Sequence, residues 1–243
     1  MVPYEGITLT ENGWGPTTPS RAIERDEIAG IVDGFGRAAA RALDSGFDGV
    51  ELHGANGYLI DQFLQDGSNK RTDDYGGSIE NRTRFLLEVA NAVIPVWGSD
   101  RVGVRLSPSS GHNGMGDSDP ETLFDHVAAK LNELDLAYLH IIEPRVHGNK
   151  DVDEGAPPVA SARLRKIFTG TILAAGGFTA ESAEAIISAG DADLVAFGRH
   201  FIANPDLPSR IERGLELNPY DRDTFYVGLE RGYVDYPFHA AAR

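Results

Sequence analysis

The sequence predicts an α/β fold of the (βα)8-barrel type, with about five βα units behind one leading helix. Three observations point there. Short apolar segments alternate with amphipathic ones, in the order α and then βα five times, the pattern of a parallel sheet covered by helices. The long loops and most of the polar residues follow strands, at the end of the sheet where barrels place their chemistry. Glycine turns follow the last two strands, whereas a doubly wound sheet carries its glycine turn after the first.

Residues 1–25 carry Pro3, Pro16 and Pro19 without periodicity, so they are expected to form an irregular N-terminal arm. The barrel portion is expected over 26–214. Its first helix begins near Asp26, where Ile28, Ile31, Val32, Phe35, Ala38, Ala39, Ala42 and Leu43 recur at helical spacing. Asp26 and Glu27 suit the helix N-terminus, and Gly46 suits its stop. A strand is expected at 47–53, a long loop at 54–77, and a helix at 79–94 that Pro95 ends. Strand 101–106 and a second long loop lead to a helix opened by Asp119 and Pro120, a good N-cap followed by proline. Strand 137–142, loop 143–160 and helix 161–169 follow. Strand 171–175 leads to Gly176 and Gly177, then to helix 180–189. Strand 193–197 leads to Gly198 and Arg199, then to helix 206–213. Residues 215–243 read as an irregular, aromatic-rich tail. A full barrel takes about 250 residues, yet only five strands can be counted. Either the barrel is incomplete or its remaining strands come from elsewhere.

The 243 residues carry 22 Lys and Arg against 37 Asp and Glu, a net charge of −15. That argues against a broad hold on nucleic acid or anionic membrane, both of which want a basic face. At 41% hydrophobic and 24% charged, the composition is that of a folded globular chain. With no cysteine there is no disulfide, thiolate metal site or cysteine nucleophile, and a cytoplasmic location is expected. No apolar run approaches the ~18 residues of a membrane span. The seven histidines show no metal-binding spacing, and the stretch Asp151 to Glu154 reads as a solvated loop.

Three groups could carry chemistry. His53, Asn56 and Tyr58 follow a strand, where they would converge on a carbonyl oxygen or simply form a satisfied turn. Arg105 interrupts the apolar run VGVRL and must meet an anion or a carboxylate. Gly176 and Gly177, with Gly198 and Arg199, follow consecutive strands. Paired turns of this kind suit a phosphate better than two unrelated tight turns.

Residues 46–85 (GFDGVELHGANGYLIDQFLQDGSNKRTDDYGGSIENRTRF) resemble the old yellow enzyme family of FMN-dependent ene-reductases, which includes the 12-oxophytodienoate reductases. VGVRLSP, AAGGFTAE, FGRHFIANPDLP and TFYVGLERGYVDYP resemble its later landmarks, in the same order. The resemblance implies a (β/α)8 TIM barrel of which this chain supplies strands 4–8, with FMN at the C-terminal mouth. It implies that His53 and Asn56 bind the substrate's electron-withdrawing oxygen and that Tyr58 is the proton donor. Arg105 matches the residue facing the flavin ring. Gly176, Gly177, Gly198 and Arg199 match the phosphate positions, and Phe225 and Tyr226 the aromatic pair near the mouth.

The implied reaction uses NADPH or NADH to reduce FMN, and FMN to reduce an enone or nitro compound. Family members also have three earlier strands that contact the flavin ring, and these 243 residues show no such segment. A catalytically silent half-barrel is therefore the second expectation, completed by the N-terminal barrel segment or by another copy. A flavin-free phosphate-binding lyase is a distant third, because the five strands hold no Schiff-base lysine.

Overall fold

The computed structural model describes residues 7–10, 13–18, 20–147, 150–151, 159–226 and 230–240. Within the expected irregular arm, Ile7–Thr10 (β1) and Gly13–Pro16 (β2) instead pair as an antiparallel hairpin. Backbone pairing there needs no side-chain periodicity, so the sequence carried no signal for it.

Helix α1 (Glu27–Asp44) keeps its predicted bounds, and Gly46 follows it at φ 82°. The next strand, β3 (Val50–Gly54), starts three residues later than expected. A short helix, α2 (Leu59–Leu64), occupies what was read as loop, because Ile60, Phe63 and Leu64 are all buried. Helix α3 runs Ile79–Trp97, through Pro95 rather than ending before it. The lost backbone donor falls in the last turn. Trp97 is buried beyond it and donates from Nε1 to the Ala39 carbonyl at 3.0 Å, which carries the helix through.

Strand β4 (Val102–Leu106) and helix α4 (Pro120–Asn132) follow, the latter capped by the Asp119 carboxylate accepting from the Thr122 amide at 3.1 Å. Strand β5 (Tyr138–Ile142) leads into a loop that holds a small hairpin of β6 (Val146–His147) and β7 (Lys150–Asp151). The rest of the acidic stretch, Val152 to Glu154, lies outside the described residues. Helix α5 is only Ser161–Leu164, after which the chain turns. Strand β8 (Ile172–Ala175), helix α6 (Ala180–Ser188), strand β9 (Leu194–Ala196) and helices α7 (Arg199–Ala203) and α8 (Leu207–Glu212) complete the order.

The main sheet is parallel throughout, in the order β3-β4-β5-β8-β9. Strand order follows chain order with no reversal, so these strands have no switch point of the doubly wound kind. One face packs against the helices. Leu52, Val104, Leu139, Ile141, Ile172 and Ala174 are buried there with Phe85, Val89 and Phe124, each worth about 1.5–3 kcal/mol for the larger side chains. The other face is open, with Leu194 53% exposed. That one-sided covering is what a segment of a (βα) barrel shows. No helix among the described residues is long and apolar enough to cross a membrane.

Candidate active site

The turn after β3 is built for an unusual backbone. Asn56 and Gly57 take φ 57° and 75° in succession, the left-handed region that Asn tolerates and Gly favours. The Asn56 amide donates to Ser107 Oγ at 2.8 Å, and the Gly57 amide donates to Asp61 Oδ2 at 2.9 Å. Ser107 itself donates to Asp61 at 3.3 Å, and Asn113 Nδ2 donates to the Asn56 carbonyl at 2.8 Å. Asp61 is fully buried. Burial pushes its carboxyl up to about 6, although hydrogen bonds from Gln65, Gly57 and Ser107 pull the other way. This anchoring by Asp61, Ser107 and Asn113 is invisible locally in sequence, since the three come from separate segments.

Sheet register sets the next layer. His53 lies opposite Arg105, and Arg105 opposite His140, so the three form one row on the open face. Arg105 Nε is buried with no hydrogen-bond partner among the described residues. Burial lowers the pKa of Arg105, against the pull of Glu51. Burial, then the Arg105 charge, hold His53 below the ordinary imidazole range. The His53 and Tyr58 rings sit 5.1 Å apart between centroids, tilted by 45°, and Tyr58 is 55% exposed.

A cavity of about 320 Å³ opens at the C-terminal ends of the strands. Its wall includes Asn56 and Arg105 on one side, and Gly176, Gly177, Gly198 and Arg199 on another. Phe225 and Tyr226 line it from the tail. His53 and Tyr58 stand beside it rather than on its wall. The cavity also takes in His140, which the sequence offered only as one more histidine. Gly176 and Gly177 have φ 120° and 62°, and a Cβ on Gly176 would come within 3.2 Å of the Glu143 carbonyl. A Cβ on Gly198 would meet nothing within 4 Å, so that backbone is open to a ligand.

The tail reaches the cavity because it is tied down. Arg210 is 2% exposed and donates to Asp206 at 2.7 Å, to the Glu216 carbonyl at 2.9 Å and to the Pro237 carbonyl at 2.8 Å. The Arg199 guanidinium carbon lies 5.7 Å from the Tyr220 ring centroid, and Tyr220 leads through Phe225 to Tyr226 by ring contacts at 5.9 and 6.4 Å.

The model of the NADH:flavin oxidoreductase / NADH oxidase family matches residues 7–218. The chain belongs to this family. Among its members, 12-oxophytodienoate reductase 2 of Arabidopsis thaliana is 49% identical over 222 residues, which are 90% of this chain and 59% of that protein. 12-Oxophytodienoate reductase 1 of Oryza sativa subsp. japonica is 47% identical over 237 residues, covering 96% and 61%. The solved structure of morphinone reductase superposes with a TM-score of 0.89 at 46% identity, covering 97% of this chain and 63% of that one. The old yellow enzyme homologue from Zymomonas mobilis gives 0.91 at 40% identity, covering 97% and 66%. The chain thus spans about 60% of the length of these curated relatives.

Proposed function

We propose that this chain carries the flavin-holding and substrate-activating part of an FMN-dependent ene-reductase, acting on the C=C bond of α,β-unsaturated carbonyl or nitro compounds. The observation that carries this reading is the meeting of Asn56 and Arg105 with two glycine turns and Arg199 around one cavity. The residues fit FMN. The buried Arg105 Nε has no partner among the described residues, which suits a cation that would meet an electron-rich ring edge. The open backbone at Gly198 and the left-handed turn at Gly177 (φ 62°), with Arg199, suit a phosphate.

When bound, FMN would supply the hydride chemistry between NADPH or NADH and the substrate's C=C bond. The chain's own residues orient and polarise. Asn56 and His53 donate hydrogen bonds to the substrate oxygen and so favour charge on it. His53 is neutral at pH 7, because its pKa is lowered, and it donates a neutral N–H. Tyr58 gives its proton to the α-carbon. Phe225 and Tyr226 close the mouth over an apolar substrate.

A second reading, the silent half-barrel, is favoured by the sheet edges. Among the described residues, the outer sides of β3 and β9 pair with no strand of the main sheet. On that reading the chain binds FMN weakly and turns over only when a further barrel segment, or another copy, covers those edges.

Substituting Tyr58→Phe in the FMN-loaded chain tests the assignment. Reoxidation of the reduced flavin by a cyclic enone is expected to slow by about 10²–10⁴-fold, the usual range for a lost general acid. Flavin reduction by NADPH is expected to stay near the parent rate. Equal slowing of both half-reactions would contradict the role given to Tyr58.

A further inference from the structure

The tail gathers basic side chains around one ring. Three of them meet Tyr220. The Arg199 guanidinium carbon lies 5.7 Å from its centroid, the Arg222 carbon 5.4 Å, and the His200 ring 5.5 Å, edge to face. Arg199 and His200 also line the cavity. Among the described residues, that wall holds Arg105, His140, Arg199 and His200 but no Asp or Glu, in a chain whose net charge is −15. The proposed reaction gives Tyr220 no part.

Tyr220 is fixed to the same short helix that begins with Arg199. Asn204 follows α7 and is fully buried. Its Oδ1 accepts from the Asn218 amide at 2.7 Å, and its Nδ2 donates to the His200 carbonyl at 2.8 Å. Asn218 Nδ2 donates in turn to the Ala203 carbonyl at 2.8 Å. Pro219 then fixes one backbone angle between this clamp and Tyr220. On the other side, the Asp221 amide donates to the Tyr236 hydroxyl at 2.9 Å, and Thr224 Oγ1 donates to the Asp221 carbonyl at 2.7 Å. The ring is thus set in place by contacts that do not use the ring itself.

A ring holds an arginine differently from a carboxylate. Its negative face attracts the guanidinium without cancelling the charge, and the planar fork of N–H groups is left for an oxyanion. An arginine held in this way loses less rotamer freedom when a phosphate arrives. We propose that Tyr220 is the positioning residue for Arg199: its ring holds the guanidinium beside the open backbone of Gly198, with N–H groups turned to a phosphate in the cavity. Arg222, over the same ring, adds positive charge near that end. This rests on reading the turn at Gly198 and Arg199 as the FMN phosphate site.

The test uses the 243-residue chain and two substitutions, Tyr220→Phe, which keeps the ring, and Tyr220→Leu, which removes it. In the parent without ligand, nuclear Overhauser contacts are expected between the Tyr220 ring protons and the Arg199 side chain. In titrations, Tyr220→Leu should weaken FMN binding by about two- to fivefold, the worth of one partly exposed cation–π contact, while Tyr220→Phe should bind FMN nearly as well as the parent. Riboflavin, which has no phosphate, should bind all three alike. Inorganic phosphate should follow FMN, weaker in Tyr220→Leu and unchanged in Tyr220→Phe. Absence of the Overhauser contacts would overturn the proposal, as would parental FMN affinity in Tyr220→Leu, equal losses in the two variants, or equal weakening of FMN and riboflavin. A parent chain that shows the contacts and binds phosphate in a Tyr220-dependent way, but takes up no FMN, would refute the flavin reading and leave the Tyr220–Arg199 pairing standing.

Discussion

Asp61 shows how a residue that touches no substrate can govern the site. Its carboxylate ties down the left-handed turn at Asn56 and Gly57, yet it is fully buried and its pKa is raised to about 6. The folded state therefore binds a proton more tightly than the unfolded chain does. That contribution to stability is complete below about pH 4 and is lost as pH rises through about 6. A displacement of this size corresponds to about 3 kcal/mol. Between pH 4 and pH 7, the parent chain is expected to lose up to that much stability relative to Asp61→Asn in urea unfolding. A stability difference that does not change with pH would contradict the burial argument. Sequence reading reached Asn56 and Arg105, because each is polar at the end of or inside an apolar run. It did not reach Asp61, Ser107 or the Glu51–His140 pair. Those partners are 46 and 89 residues apart, and only sheet register brings them together.

Elements were legible where the chemistry of a segment is local. The span of α1, the Asp119 cap of α4 and the glycine stops at 46, 190 and 214 all stand where the pattern put them, although Ala38 and Leu43 of the expected α1 stripe are exposed. Reading failed where burial overrode a local rule. Pro95 ended α3 on propensity, but Trp97 had a buried place to fill and a carbonyl to reach. Helix α2 was hidden inside a Gly- and Asp-rich loop because its six residues are too few to show a period. The turn that joins β3 to α2 is tightly constrained. A Cβ on Gly57 would sit 2.6 Å from Asn113 Cβ, at a φ of 75°. Gly57→Ala is therefore expected to cost about 1–3 kcal/mol in urea unfolding and to displace Asn56 from the cavity wall. An unchanged denaturation midpoint would mean that the turn relaxes and does not fix Asn56.

At the scale of the whole molecule, the class of fold was legible and its closure was not. Alternating strands and helices imply a parallel sheet, and the sequential strand order agrees with a barrel. Closure is different, because it couples strand number, tilt and stagger, and the five sheet strands among the described residues do not by themselves satisfy an eight-stranded barrel. Among the described residues, the open side that holds Arg105 and His140 is lined by the strands, the turns after them and the tail. The central claim is that this side alone holds FMN by its phosphate and orients its ring. Equilibrium titration of FMN and of riboflavin into the purified, monodisperse 243-residue chain and its Arg199→Leu variant tests it most directly. The account predicts weak FMN binding that is still about 10–100-fold tighter than that of riboflavin, the worth of charge-assisted contacts to phosphate. It predicts that Arg199→Leu removes most of that difference. FMN and riboflavin binding equally well, or FMN not binding at all, would contradict it.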